Sequence, residues 1–381
     1  MIPFIDLAAQ QAHIKPQIDA AIARVLEHGK YIMGPEVGQL EAALCEFVGS
    51  KHCITMSNGT DALIAALMAL GIGPGDAVIT TPFTFFATIE AIMFVGATPV
   101  FADIDIDTFN ICSHEIEKAI HKTRAENKLN LKAIMPVDLF GLCADYDKIN
   151  SLAKEHGLVV VQDSAQACGA TSADGRAAPT HGLIGTTSFF PAKPLGCYGD
   201  GGACFTDDDQ TAELLRSIRV HGKGADKYDN VRIGQNCRLD TLQAAVLLEK
   251  LKVYPGEIAQ RKEVAAHYTS AIQASGISSI TPPRTFDGRI SVWAQYTIRS
   301  KNRSELSKVL KASGIPSVVY YRTPAHLLRA CKSLGYARGD FPISERVADE
   351  VLSLPFHPYL SGEVVTEVVS EVSRIQKSGS C

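Results

Sequence analysis

Apolar positions recur along this chain with two different periods, and the period switches repeatedly between about residues 50 and 215. The runs HCITMS, DAVITT, TPVFADI, LKAIMPVDLF and LVVVQDSA are short, apolar and rich in β-branched residues, and they predict strands. Between them, TDALIAALMALG, FFATIEAIMFVGA, SHEIEKAIHK and DYDKINSLAKEHG space their apolar residues for helices. Local stop and start residues agree. The first two helices end at Gly71 and Gly96, the third has a serine cap, and the fourth starts at an aspartate and stops at Gly157. Strand–helix alternation of this kind predicts a mostly parallel sheet with helices on both faces, and nearly continuous apolar strands suit burial on both sides.

After residue 240 the texture changes. TLQAAVLLEKLKVYPGEIAQRKEVAAHYTSAIQA is one long helical pattern with a break at Pro255. ISVWAQYTIRS, NRSELSKVLKASG, IPSVVYY and EVVTEVVSEVSRI follow as strand, helix, strand and helix, which predicts a smaller α+β domain. The division read from this is a large domain over 1–254, with an N-terminal arm over 1–14, and a small domain over 255–381. A length of 381 residues agrees, since it exceeds what one compact core usually holds.

Composition narrows the class of partner. Charged residues make up 20% of the chain and the formal net charge is −4, with no basic stretch, so nucleic acid is not expected. No apolar run reaches the length of a membrane span, and the first residues, MIPFIDLAAQQAHIKPQ, lack a signal-peptide layout. The ten cysteines are scattered without a C-x-x-C pair, so a zinc ribbon is not expected and they read as reduced thiols. The expected location is the cytoplasm.

In open α/β sheets, ligands bind at the carboxyl ends of strands, and four stretches place polar residues there. SNGTDAL follows a strand and opens a helix, so Gly59 and Thr60 either hold a phosphate on free amides or form an ordinary capped turn. Phe85, in TTPFTFFAT, is either a core residue or the cover of a flat ring. Asp163 follows directly on four apolar strand residues and Gln162. A carboxylate there needs a cation or good hydrogen bonds, from a helix cap, a salt bridge or a ligand nitrogen. The fourth is SFFPAKPLGCYGDGG, where Phe189 and Phe190 read as a buried strand end and Pro191 and Pro194 flank Lys193. Four glycines follow, and Ser188 lies five positions before the lysine.

Together these groups match the needs of pyridoxal 5′-phosphate. Its phosphate takes amides and hydroxyls, and its ring takes an apolar cover. The ring nitrogen takes a carboxylate that keeps it protonated, and the aldehyde takes a lysine as a Schiff base. No G-x-x-x-x-G-K-[ST] loop and no early G-x-G-x-x-G occurs, which sets aside a nucleotide-triphosphate loop and a nicotinamide-dependent dehydrogenase.

The blocks IPFIDL, YIMGPEV, SNGTDAL, TPFTFFAT, DSAQACGA, SFFPAKPLGCYGDGGA, GQNCRLDTLQAA and SLPFHPYL, in this order over nearly the whole chain, resemble the DegT–DnrJ type of sugar-nucleotide aminotransferases. The resemblance implies the fold-type-I architecture: a large domain with a mostly parallel mixed sheet sandwiched by helices, plus a smaller C-terminal α+β domain. It implies that Lys193 carries the cofactor and moves the proton, that Asp163 pairs with the ring nitrogen, and that Gln166 contacts the ring hydroxyl. It places Phe85 on the ring, and Gly59, Thr60 and Ser188 at the phosphate. Asn236 is implied to reach the phosphate of a neighbouring subunit, in a homodimer with shared active sites. Arg238, Tyr321, Tyr31 and His326 are implied substrate contacts. The implied reaction moves an amino group from L-glutamate to a keto sugar nucleotide for bacterial surface polysaccharide. PLGCYGDGGA and RLDTLQAA are similar to enzymes acting on UDP-2-acetamido-2-deoxy-3-oxo-glucuronate in O-antigen assembly.

The chain departs from that pattern in places. Ala192 stands where Ser or Thr is usual, Gln162 where Glu is common, and Tyr320 and Arg322 where relatives have His and Pro. Arg322 either pairs with a sugar carboxylate or is simply exposed. Alternative readings are a dTDP-3- or 4-keto-deoxy sugar as acceptor, a dehydratase of the same fold, or a non-catalytic regulator. An intact Lys193 argues against the last two, because such dehydratases place histidine there.

Overall fold

The structure is a computed structural model that describes residues 2–226 and 228–378. Seven strands form its main sheet: β1 (His52–Met56), β2 (Asp76–Thr80), β3 (Thr98–Phe101), β4 (Asn130–Ile134), β5 (Val159–Asp163), β6 (Ile184–Ser188) and β7 (Gly202–Thr206). Their order is β1-β7-β6-β5-β4-β2-β3. All neighbours are parallel except β7, which runs antiparallel to both β6 and β1.

Period-2 alternation explains the two buried faces. Val78 and Val161 pack with Leu63, Leu67 and Ile92 on one side. Their chain neighbours Ile79 and Val160 pack with Ile116, Ile120 and Ile149 on the other. The helix Tyr146–His156 follows its sequence signals, with Asp145 at its N-cap and Gly157 left-handed at its end. The helix Ser113–Glu126 does not: Ser113 is its first residue, and Cys112 takes the cap position with no side-chain hydrogen bond. Phe190 also differs from expectation. Phe189 is buried, but Phe190 is 52% exposed, because β6 ends at Ser188 and the chain turns away.

The helix Thr241–Ala274 runs through Pro255 without the expected break. Tyr254 packs with Phe189 and Leu247, whereas Val264 and Tyr268 pack with Tyr296 and Leu352. We infer that the division near residue 255 falls inside this helix, where its core neighbours change. Beyond it lies a three-stranded antiparallel sheet, β8 (Ile280–Thr281), β9 (Tyr296–Ser300) and β10 (Val351–Leu354), in the order β10-β9-β8. β9 is shorter than the sequence predicts, because the amides of Val292 and Ala294 donate to Gly141 and Phe140 of the large domain. The strand expected over 315–321 reduces to one bridge, Val318 to Ser353, after which the chain leaves the sheet. Among the described residues no helix is long and apolar enough to cross a membrane.

Candidate active site

The carboxyl ends of β1, β5 and β6 meet where the sequence places its polar residues. Asp163 ends β5, hydrogen-bonded through its amide to Pro136 (3.0 Å), and is 4% exposed. Its Oδ2 accepts from Thr88 Oγ1 (2.8 Å) and its Oδ1 from the Ala165 amide (3.1 Å). Burial pushes its pKa up; these two hydrogen bonds and the charge of Lys193 oppose that. Gln166 lies just beyond. Its Oε1 accepts from the Phe140 amide (2.9 Å) and its Nε2 donates to Tyr321 Oη (3.0 Å), which ties the β5 end to the segment from the small domain.

The turn after β1 leads into the helix Gly59–Ala69, capped by Asn58, whose Oδ1 accepts from the Asp61 amide (2.8 Å). The amides of Gly59 and Thr60 have no partner among the described residues. A Cβ on Gly59 would lie 2.7 Å from Ser188 Cβ, and one on Gly202 would lie 2.5 Å from the Asn58 carbonyl. Only glycine lets the turn lie flush against β6 and β7, which leaves the free amides at the helix start beside Ser188.

Lys193 sits in the 189–201 connection between antiparallel β6 and β7. Its amide donates to Phe190 (2.8 Å), while Phe189 and Cys197 bond across the base of the loop (2.8 Å). Gly196 allows that closure, since a Cβ there would meet the Pro191 carbonyl at 2.5 Å. Burial pulls the pKa of Lys193 below that of a free lysine, and the nearby Asp163 carboxylate opposes it. Its ammonium forms no ion pair or hydrogen bond among the described residues.

Phe85 is the N-cap of the helix Phe86–Phe94. Its ring is 57% exposed and stands 6.4 Å from that of Tyr321. Tyr31 is exposed, and its carbonyl accepts from the Thr241 amide. Arg238 is half-buried and Asn236 exposed, on either side of Cys237, whose carbonyl accepts from the Ser57 amide (2.7 Å). Neither side chain bonds to the groups above within the chain. His326 is enclosed: it is 2% exposed, with Nε2 3.0 Å from Glu345 and its ring edge-on to Phe341. Arg322 is exposed and without an ion-pair partner among the described residues, and Tyr320 packs near Phe4. Gln162 turns from the site to Asp138, donating to its Oδ2 (2.7 Å).

Two residues escaped the sequence reading. Thr88 is hidden in an apolar helix, and only its position three residues after Phe85 hints at a shared face. Asp138 carries the same signal that marked Asp163, a carboxylate after an apolar run. It is fully buried and accepts from Tyr146, Ser164, Gln162 and the Ala144 amide; desolvation still raises its pKa to about 7. The cavity of about 460 Å³ beside Phe140, Phe286 and Trp293 contains none of the expected site residues.

These groups fit pyridoxal 5′-phosphate: an open amide cradle for the phosphate, a buried carboxylate without a paired cation, and a lysine of lowered basicity. Fold and site define a fold-type-I pyridoxal-phosphate-dependent transferase. The DegT/DnrJ/EryC1/StrS aminotransferase family matches over residues 12–373, and the chain belongs to it. It is similar to UDP-2-acetamido-2-deoxy-3-oxo-D-glucuronate aminotransferase of Pseudomonas aeruginosa, 48% identical over 360 residues, covering 94% of this chain and 96% of that one. A DegT DnrJ EryC1 StrS aminotransferase from Brucella abortus superposes with a TM-score of 0.95 at 47% identity, covering 100% of both chains. NtdA of Bacillus subtilis, solved with bound PMP, superposes with a TM-score of 0.89 at 29% identity, covering 98% of this chain and 85% of that one. Pyridoxal phosphate is the cofactor of this enzyme.

Proposed function

We propose that this aminotransferase moves an amino group from L-glutamate to a keto sugar nucleotide, UDP-3-keto-N-acetylglucosaminuronate, giving the 3-amino sugar for a bacterial surface polysaccharide. The observation that carries the reaction class is Lys193 near the buried Asp163, with no ion-pair partner among the described residues. The likeness to the Pseudomonas aeruginosa enzyme supports the acceptor.

When bound, the cofactor supplies an aldehyde for the lysine and an electron-withdrawing ring. The chain's own groups do the rest. Gly59, Thr60 and Ser188 hold the phosphate. Phe85 covers the ring, Asp163 takes the ring nitrogen and Gln166 the ring hydroxyl. Lys193 Nζ, once free, moves a proton at the substrate carbon, and its lowered basicity leaves more neutral amine near pH 7. Tyr31, Arg238 and Tyr321 face the substrate; His326, enclosed against Glu345, supports the packing of the segment that carries Tyr321. The enzyme is a homodimer in which Asn236 reaches the neighbour's phosphate. The exposed Tyr31, Ile32, Met33, Val231 and Ile233 near the same region support that reading. The cysteines among the described residues form no disulfide, which suits the reducing cytoplasm.

The test is absorbance of the purified enzyme with and without L-glutamate, beside Lys193→Ala. The wild type shows the visible band of lysine-bound cofactor, glutamate converts it to the amine form, and the variant lacks the band. The amine form is then mixed with UDP-3-keto-N-acetylglucosaminuronate or a dTDP-3-keto sugar. Return of the visible band with the dTDP sugar alone would overturn the acceptor. No response to glutamate would overturn the donor.

A further inference from the structure

Asp163 is held by a partner that lies 75 positions away in the chain, Thr88. Thr88 is 1% exposed, and its hydroxyl is 2.8 Å from Asp163 Oδ2 and 3.0 Å from the hydroxyl of Thr84, itself 6% exposed. A threonine hydroxyl has one proton to donate. An ionised carboxylate only accepts, so Thr88 must give its proton to Asp163, and Thr84 must then donate to Thr88. The hydroxyl chain therefore has one direction, Thr84 to Thr88 to Asp163, as long as Asp163 is charged. If Asp163 took up a proton, that direction would no longer be forced.

The same short segment also carries Phe85. Phe85 is the N-cap of the helix that carries Thr88, so one short segment brings both the ring beside Tyr321 and the hydroxyl on Asp163. The titratable groups that act on Asp163 are Lys193 and Tyr321. Neither bonds to its carboxylate, and among the described residues the direct donors are Thr88 and the Ala165 amide. Of these two, only Thr88 is a side chain.

We infer that Thr88 is a positioning residue, whose hydroxyl holds Asp163 ionised and in the rotamer that meets the ring nitrogen of the cofactor. This rests on the reading that Asp163 faces that nitrogen. A hydrogen bond to a charged group sets the expected size, roughly tenfold or more in cofactor affinity.

The test compares wild type, Thr88→Val, Thr88→Ser and Asp163→Asn as intact apoproteins. Two readouts are taken: the affinity for pyridoxal 5′-phosphate by fluorescence titration, and the chemical shift of the bound cofactor labelled with nitrogen-15 in its ring, from pH 6 to 9. Thr88→Val is expected to bind about tenfold more weakly and to lose the ring-nitrogen proton at lower pH, with Thr88→Ser restoring both. Wild-type affinity and shift in Thr88→Val, or a Thr88→Ser as impaired as Thr88→Val, would overturn the inference. If Thr88→Val does not fold, Thr88→Ala takes its place with the same two outcomes. An Asp163→Asn that leaves the ring-nitrogen signal unchanged would instead overturn the role of Asp163.

Discussion

Two buried carboxylates lie side by side, Asp163 as the last residue of β5 and Asp138 in the segment that follows β4, and they have opposite fates. Asp138 and Asp163 each follow an apolar run, and the Asp138 amide bonds to the Asp163 carbonyl (2.9 Å). Asp138 is saturated: each oxygen accepts two hydrogen bonds, from Ala144 and Tyr146 on one and from Gln162 and Ser164 on the other. Asp163 receives one on each oxygen among the described residues and stands near Lys193. A carboxylate can accept about four hydrogen bonds. A filled one ties elements together, whereas a half-filled one keeps acceptor capacity for a ligand. Gln162 adds to the contrast, because a second carboxylate in its place would face Asp138 at hydrogen-bond distance and raise the pKa of one or both.

This contrast can be broken by exchanging each carboxylate for its amide. Asp163→Asn is expected to have the largest effect, a loss on the order of a hundredfold to a thousandfold in kcat/KM, with the fold intact by circular dichroism. A fall of less than tenfold would place Asp163 with the structural carboxylates.

Asp138→Asn comes next, and its effect falls on stability. The amide turns one acceptor oxygen into a donor and leaves donors at that end unpaired, which costs about 2 kcal/mol in urea unfolding while kcat stays within about threefold. The pH dependence separates it further. Burial pushes the pKa of folded Asp138 up to about 7, above the ordinary carboxylate range of about 4, so between these values the folded state binds the extra proton. Stability contributed by that proton is present at low pH and is lost as pH rises from about 4 to about 7. Asp138→Asn removes this part of the slope. An unchanged slope would mean that Asp138 is already ionised across that range.

Tyr321→Phe should give the smallest effect. It removes the bond to Gln166, and with it the hydrogen bond that links the β5 end to the small domain. The expected cost is about 1 kcal/mol, a few-fold to tenfold rise in KM for the sugar nucleotide. Asp138, whose partners all lie within residues 144–164, should be indifferent to this change, so Asp138→Asn and Tyr321→Phe should add independently.

Much of the site was legible because its signals are local. A carboxylate after LVVVQ, a turn residue set such as SNGT and a lysine between two prolines can each be read within a few positions. Asp163 ends β5, the SNGT turn follows β1, and Lys193 lies in the connection after β6. Thr88 was not legible, since a threonine inside an apolar helix has the same local pattern whether it meets a carboxylate or packs in a core. His326 shows the converse. Its place in a segment that touches substrate in relatives favoured a contact, but Glu345 and Phe341 enclose it. The absent strand over 315–321 has a similar cause, because the two hydrogen bonds between Val318 and Ser353 leave the next residues free to reach Gln166.

By itself, the amino-acid sequence determined the alternation of strands and helices, the turn chemistry at their ends, and which strand ends carry polar groups. Those follow from periodicity and backbone preference, which act over a few residues. Tertiary structure alone decided that β7 runs backwards between β1 and β6, that Thr88 meets Asp163, and that Tyr321 crosses to Gln166, 155 positions away. The reason is that a side chain's capacity to donate or accept is the same everywhere in the chain. Its partner is set only when the sheet adopts one strand order and brings distant strand ends to the same edge.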